Sequence, residues 1–482
     1  MLYFLGLILI IMGAVMLVPV PVAYYFGGES SLIPYFVVPA VIAIIVGIIL
    51  RKRFPRTDIS LGSAMVVVAL TWIIISLFSS IPFMLGTQKL CDGRENPTPM
   101  GFVDSYFESM SGFTATGLTM IPTTDNSIFN IETCPRTILF WRSLTQWVGG
   151  LGVVVLFLTA LIGAGKAARK LYVAEARGER IEPTIRDTAK SMWKIYTLFT
   201  LAGILGFLIV GMPLFDSINH SMTGIATGGF AVRNDSFASY GGSTFLIAIP
   251  LMLAGATSFA IHQRVLKGKW RELFGNVEVR LMLVLVALGA IIIAFQVSAG
   301  DALFQSSSAL TGTGFSTATI SGWGDLSKGV LISQMMIGGC YASTSSAIKL
   351  IRTIVIIMAV YWVVKKSFLP ERAVVPMKIS GRIYNEREIM EISIYAFVYV
   401  LVMIGGAMVL MALGNGGINS LFESASAQGN VGLSVGITSA SLHLAGKITL
   451  IIQMLVGRLE ILPVVALASY VISRIRPRPR AF

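Results

Sequence analysis

Four glycines, Gly117, Gly229, Gly314 and Gly432, occupy one place in four short segments that share a register. The segments read DSYFESMSGFTATGLT from Asp104, DSINHSMTGIATGGFA from Asp216, DALFQSSSALTGTGFS from Asp301 and NSLFESASAQGNVGLS from Asn419. Asp or Asn opens each one. Ser follows five residues later (Ser109, Ser221, Ser306, Ser424), and Ser or Thr seven residues later (Ser111, Thr223, Ser308, Ser426). The glycine comes thirteen residues after the start and is followed by Leu118, Phe230, Phe315 or Leu433. Glycine makes up 48 of the 482 residues, so the glycine column alone would carry little weight. The columns that travel with it make it an internal repeat.

The chemistry on offer is that of the backbone. Asp or Asn is a preferred helix N-cap, so a short helix of about ten residues is expected after it, with the negative end of its dipole aimed inward at a cation. A Gly- and Thr-containing extended stretch comes next, and its carbonyls can face an axis. Glycine there allows backbone angles or a close approach that a side chain would forbid. Stacked rings of carbonyls that replace the hydration shell of a dehydrated ion are how potassium filters work. An ordinary outer loop with a capped helix accounts for any one such segment; four in register argue for a ring.

Such a ring has to be held at membrane depth. The chain is 55% hydrophobic and 13% charged, with a mean hydropathy of +0.79, too apolar for a soluble domain. Ten stretches are long enough to span a bilayer: 1–26, 33–50, 61–83, 138–162, 193–212, 243–261, 281–297, 330–364, 392–413 and 447–472. The first has no preceding basic residue and too long an apolar run for a signal peptide, so it reads as a retained helix. Each repeat segment lies between two spans, and backbone outside helices is tolerated at membrane depth only where protein buries it or where it lines an aqueous path. The expected fold is an all-α integral membrane protein with four helix/re-entrant segment/helix repeats around one central pore, plus an extra N-terminal helix pair. The division is 1–58 for the helix pair and 59–170, 171–265, 266–368 and 369–482 for the repeats.

Of the 37 Lys and Arg residues, 26 fall in segments 51–56, 166–190, 264–280, 365–387 and 474–480. The positive-inside rule puts these segments, and both termini, in the cytoplasm. The net charge of +13 reports that bias and anionic lipid at the inner leaflet, with no need for nucleic acid. Three cysteines are too few for a disulfide framework. Cys91 and Cys134 flank one outer segment and could pair, or they could be two unrelated small residues; Cys340 falls inside a span, where burial is expected. His220, His262 and His443 have no metal-site spacing, and Glu108 and Glu423 share a repeat column rather than forming an acid/base pair. No catalytic constellation and no GxxxxGK[ST] motif occurs, so neither an enzyme nor a bound cofactor is expected.

The repeats, with Arg142, Gln146, Trp147, Gly149, Gly150 and Gly152 in FWRSLTQWVGGLGVVVL, GGCYASTSSAIKLIR from Gly338 and VGRLEILP from Val456, resemble the TrkH branch of the Trk/Ktr/HKT potassium transporter superfamily. The extra helix pair favours TrkH over the shorter KtrB. The resemblance implies one fourfold pseudosymmetric pore per subunit, a homodimer, and a cytosolic nucleotide-binding ring of TrkA type that controls gating. It places the filter backbone, and hence K+, at Thr114, Ala115, Thr116 and Gly117; at Ala226, Thr227, Gly228 and Gly229; at Thr311, Gly312, Thr313 and Gly314; and at Gly429, Asn430, Val431 and Gly432. In the family's sodium-preferring plant members serine replaces the first-repeat glycine. Gly117 here implies potassium, with rubidium as a surrogate.

Below the filter, Gly338, Gly339, Ser343, Thr344, Ser345 and Ser346 are small or hydroxylated residues inside what should be an apolar helix, which suggests an unwound gate. The family's equivalent loop is richer in glycine; here Tyr341, Ala342 and Ser346 intervene. An intact helix whose hydroxyls bond back to their own carbonyls is the alternative. Arg458 lies inside the last span, where a charge faces a pore or a partner. It resembles the family arginine that opposes cation leak, and an Arg–Glu tie between helices is the alternative. Gated potassium uptake through a channel-like pore is the favoured function. Symport with H+ or Na+ on the same fold is second, and a non-conducting scaffold or enzyme is disfavoured by the repeats. A prokaryotic cell membrane is the simplest location.

Overall fold

The computed structural model describes residues 1–56, 58–91, 100–123, 130–152, 155, 170, 182, 184–370 and 375–475. The end of the span expected at 138–162, most of the basic segment 166–190 with the repeat boundary at 170/171, residues 371–374 and the basic tail at 476–480 lie outside them. So does the Cys91 side chain, and with it the expected pairing with Cys134, which is itself buried.

Apolar composition and small-residue contacts build the N-terminal pair. Leu2–Met16 packs against Ile33–Arg53, and a methyl group at Gly6 would stand 2.7 Å from the Gly47 carbonyl oxygen. This is how membrane helices gain contact where lipid gives no hydrophobic drive. The pair joins the first repeat through Phe36, whose ring meets Trp141 edge-on at 5.8 Å.

Each repeat is an outer helix, a short helix and an inner helix. The outer helices are Leu61–Cys91, Ile185–Ile209, Val277–Ile293 and Glu386–Ala412. The short helices are Phe102–Phe113, Leu214–Ile225, Ala299–Thr311 and Gly417–Gly429. The inner helices are Arg136–Leu151, Phe245–Gly255 with Phe259–Leu266, Asp325–Ile337 with Leu350–Ser367, and Leu444–Leu459 with Leu462–Ile475. Among the described residues, five helices are long and apolar enough to span by themselves, and two bent pairs pass the same test together. The spans expected at 243–261 and 447–472 are therefore not straight: they bend by 109° and 114°. Apolar periodicity does not register such bends, because both halves stay hydrophobic. The stretch 330–364 is two helices with residues 338–349 non-helical between them.

The opening Asp or Asn is not the N-cap. The caps are Gly101, Pro213, Ser298 and Gly416, three residues earlier, and Asp104, Asp216, Asp301 and Asn419 sit third in the first turn. There an acid still favours the positive end of the helix dipole, and the side chain is free to reach other repeats. Lys447 at the start of the fourth inner helix bonds Asp104, and Lys328 Nζ lies 2.9 Å from Asn419 Oδ1.

Beyond the helices, Met377–Ile379 pairs antiparallel with Arg382–Tyr384. Ser380 and Gly381, at φ 47° and 86°, supply the turn with two left-handed residues that a tight hairpin needs. This hairpin lies between the third inner helix, ending at Ser367, and the fourth outer helix, starting at Glu386.

Candidate functional site

The non-helical stretch after each short helix has one backbone conformation in all four repeats. Eleven residues after the opening Asp or Asn, Ala115, Thr227, Gly312 and Asn430 have φ of 52°, 50°, 74° and 53°; thirteen after it, Gly117, Gly229, Gly314 and Gly432 have φ of 92°, 74°, 83° and 99°. Left-handed backbone costs an L-residue roughly 1–2 kcal/mol, so Ala115 and Thr227 are strained where Gly312 and Asn430 are tolerant. Such strain persists where surrounding structure enforces it, as it does at functional sites. The enforcement is visible: the amides of Thr116, Gly228, Thr313 and Val431 each donate to a carbonyl five residues earlier, all at 2.9 Å. Thr114, Ala226, Thr311 and Gly429 still belong to the helix ends, as last helical or capping residues.

The four stretches close on one another. A methyl group at Gly117 would lie 2.3 Å from the Gly228 carbonyl oxygen, one at Gly229 2.1 Å from that of Thr313, one at Gly314 1.8 Å from that of Val431, and one at Gly432 2.3 Å from that of Thr116. Each repeat abuts the next and the fourth returns to the first, so the glycines form a closed ring in the order first, second, third, fourth. Any side chain in this column would drive a carbonyl out of place.

Polar side chains brace the ring from outside. Ser111 Oγ accepts from Gly117 N at 3.1 Å and Ser426 Oγ from Gly432 N at 3.0 Å, which gives the Ser/Thr column its purpose in two repeats. Gln146 donates from Nε2 to the Gly228 carbonyl at 2.5 Å and accepts from Phe230 N at 3.0 Å. That carbonyl therefore already has one partner. Asn430 Nδ2 bridges Thr116 Oγ1 and the Met454 carbonyl, 2.8 Å from each.

A second brace holds the stretch beyond the glycine. Glu108 accepts from Met120 N at 2.8 Å and from Thr119 Oγ1 at 2.9 Å. Glu423 accepts from Ser434 Oγ at 2.8 Å and Val435 N at 3.1 Å, and Gln305 Nε2 donates to Ser316 Oγ at 2.7 Å. The partners lie eleven and twelve residues along the chain for the two glutamates and eleven for Gln305. The second repeat has His220 in this column, and its Nδ1 donates to the Asp216 carbonyl at 2.8 Å instead. Arg142 substitutes there: its Nε is 2.7 Å from Glu108, its Nη1 donates to the Ala231 carbonyl at 3.0 Å, and its guanidinium lies 4.0 Å over the Phe230 ring. The sequence puts Glu108 and Glu423 in one column but does not reveal this role; the hydroxyl residues eleven positions on, Thr119, Ser316 and Ser434, were the available signal.

All four repeats meet again around residues 338–349 and Arg458. Thr344 Oγ1 is 2.8 Å from the Gly255 carbonyl oxygen and 3.0 Å from that of Ile225, Cys340 N donates to the Ala256 carbonyl at 2.8 Å, and Tyr341 N donates to Glu278 at 2.7 Å. Gly339 N donates to Ser345 Oγ at 3.0 Å, and Gly338 takes φ 74° where the helix ends. Arg458 donates to the carbonyls of Gly149 at 2.5 Å, Gly150 at 2.8 Å and Thr344 at 2.8 Å, and to Ser346 Oγ at 3.2 Å. Glu460 bonds Arg352 rather than Arg458, and the buried Lys349 bonds the Ser345 carbonyl within the same stretch. Among Ser343, Ser345, Ser346 and Arg458 remains a cavity of about 30 Å³, large enough to hold water.

Comparison with known proteins agrees with this architecture. The TrkH family model, described as a cation transport protein, matches residues 34–299 and 296–474. An uncharacterized cation transporter of Methanocaldococcus jannaschii is 35% identical over 97% of this chain and 94% of its own length. The Trk system potassium uptake protein TrkG of Escherichia coli is 30% identical over 94% of each. The crystal structure of the potassium transporter TrkH from Vibrio parahaemolyticus superposes with a TM-score of 0.82 over 97% of each chain at 26% identity. This is a transporter family and not a class of enzyme. With its repeats, its ring and these matches over nearly its whole length, the chain belongs to the TrkH family of cation transport proteins.

Proposed function

We propose that this protein takes potassium ions, and rubidium in their place, into the cell through a gated, channel-like selective pore. One observation carries the reading: four backbone stretches with left-handed glycines close into a single ring, each glycine against a carbonyl of the next repeat. Main-chain oxygens held this rigidly can replace a hydration shell without moving, which favours one ion size. The filter then runs through 114–117, 226–229, 311–314 and 429–432, and the four short helices turn their negative ends toward the ion. The names of the relatives support the choice of ion, since TrkG is a potassium uptake protein and the Vibrio structure a potassium transporter.

Residues 338–349 and Arg458 form the inner gate. Thr344 joins the second and third repeats, Arg458 joins the first, third and fourth, and only a small cavity of about 30 Å³ remains beside Arg458. A fixed positive charge beneath a cation filter also repels an entering ion. Opening requires the Arg458 and Thr344 contacts to part, an action suited to a cytosolic nucleotide-binding ring of TrkA type docked on the basic inner face of a homodimer. The protein works in a prokaryotic cell membrane with both termini in the cytoplasm.

Uptake of labelled rubidium into proteoliposomes, competed by potassium or sodium with and without an imposed proton gradient, tests this. Block by potassium, indifference to the proton gradient and weak block by sodium are expected. Dependence on a proton or sodium gradient would replace the channel-like reading with symport.

A further inference from the structure

The third and fourth repeats share a register that polar contacts fix at several points. Ser306 Oγ donates to the Val286 carbonyl at 2.8 Å and Ser424 Oγ to the Met403 carbonyl at 2.6 Å. Gln334 Nε2 bonds Ser306 Oγ at 2.8 Å and the Leu285 carbonyl at 2.9 Å; Gln453 Nε2 bonds Ser424 Oγ at 2.7 Å and the Val402 carbonyl at 3.2 Å. Val286 therefore corresponds to Met403, and Ser306 to Ser424. In each repeat the outer and short helices run in opposite directions, so four residues on along the short helix meets four residues back along the outer one. That turn holds Leu310 and Met282 in the third repeat, both buried in one apolar cluster. In the fourth it holds Gln428 and Tyr399, both fully buried.

An apolar pair has become a polar pair at matching positions. The column of Leu310 is also apolar in the first and second repeats, where it holds Phe113 and Ile225. Among the described residues, neither the Gln428 amide oxygen, nor its nitrogen, nor the Tyr399 hydroxyl has a hydrogen-bond partner. Buried polar groups in folded proteins are satisfied by protein or by ordered water, and a buried water takes about 2–4 polar partners. We propose that Gln428 and Tyr399 hold one or two buried water molecules behind the fourth filter stretch, one residue before Gly429, around a buried side-chain amide in a column that is apolar in the other three repeats. Water can donate to the Gln428 oxygen, accept from its nitrogen and accept from the tyrosine hydroxyl, which meets all three groups together. The site does not depend on which ion the ring conducts.

Two measurements on the full-length protein test this. A density map of the wild type fine enough to show ordered water should contain a peak within hydrogen-bond distance of both Gln428 and Tyr399. A direct amide–hydroxyl bond with no water beside it would overturn the proposal. In detergent, Gln428→Leu and Tyr399→Phe should each lower Tm, because each leaves the other group buried without its bridge. The combined swap Gln428→Leu with Tyr399→Met installs the third repeat's own pair and should return Tm to the wild-type value or above. Losses that simply add in the double variant would contradict a shared site, and if the variants fail to fold the wild-type map decides alone.

Discussion

Replacing Gly117 with serine perturbs the ring at a place where the geometry sets the consequence. Its φ of 92° is unfavourable for any L-residue, and the new Cβ would stand 2.3 Å from the Gly228 carbonyl oxygen. An ordinary carbon–oxygen contact is no closer than about 3.3 Å, so one of the two stretches must move by roughly 1 Å. Gly228 cannot recede freely, since Gln146 holds its carbonyl at 2.5 Å. Backbone strain of about 1–2 kcal/mol, released by driving a carbonyl out of the ring, would loosen the fit to potassium and lower its preference by a comparable amount. That corresponds to a factor of about 5–30 in discrimination. The assay is rubidium uptake into proteoliposomes competed by sodium and by potassium, with the ratio of half-blocking concentrations as the readout. Gly211→Ser is the control, because Gly211 has φ 88° but no atom within 4 Å of a new Cβ. Unchanged potassium preference in the Gly117 variant, with normal uptake, would refute the ring as the selective element.

Other substitutions separate the remaining parts. Arg458→Ala frees three carbonyls and Ser346 from one guanidinium, so basal cation flux should rise; a lower folding yield with unaltered flux would make Arg458 a tie and nothing more. Thr344→Val removes the hydroxyl that reaches Gly255 and Ile225 and should weaken gate closure by about 1–3 kcal/mol, seen as faster uptake without the regulatory partner. Arg142→Met leaves Glu108 buried without its ion pair and should cost about 3–5 kcal/mol in thermal unfolding. Pairing it with Glu108→Gln should recover part of that loss.

What the sequence reveals here follows from what repeats. The glycine column is legible because a left-handed position hemmed in by a carbonyl admits one residue type, four times over. The left-handed column two residues earlier is not, because Ala115 and Thr227 accept strain there that no composition rule announces. Spans were readable from hydrophobicity. The bends at 256–258 and 460–461 were not, since the halves on either side stay apolar and the few polar residues at the breaks, Thr257, Ser258 and Glu460, do not interrupt either stretch. The opening Asp and Asn were read as caps because that is their commonest place; here they sit one turn inside and reach across repeats, as Asp104 does to Lys447. Contacts made between distant parts of the chain, such as Arg458 with Gly149 or Glu460 with Arg352, have no local pattern at all.

The most direct test is the position of bound ions. Crystals grown in rubidium should show an anomalous peak on the axis of the ring, within coordinating distance of carbonyls from all four stretches 114–117, 226–229, 311–314 and 429–432, and the peak should vanish in sodium. Rubidium bound only elsewhere, or held by one or two of the stretches, would contradict a pore shared by the four repeats.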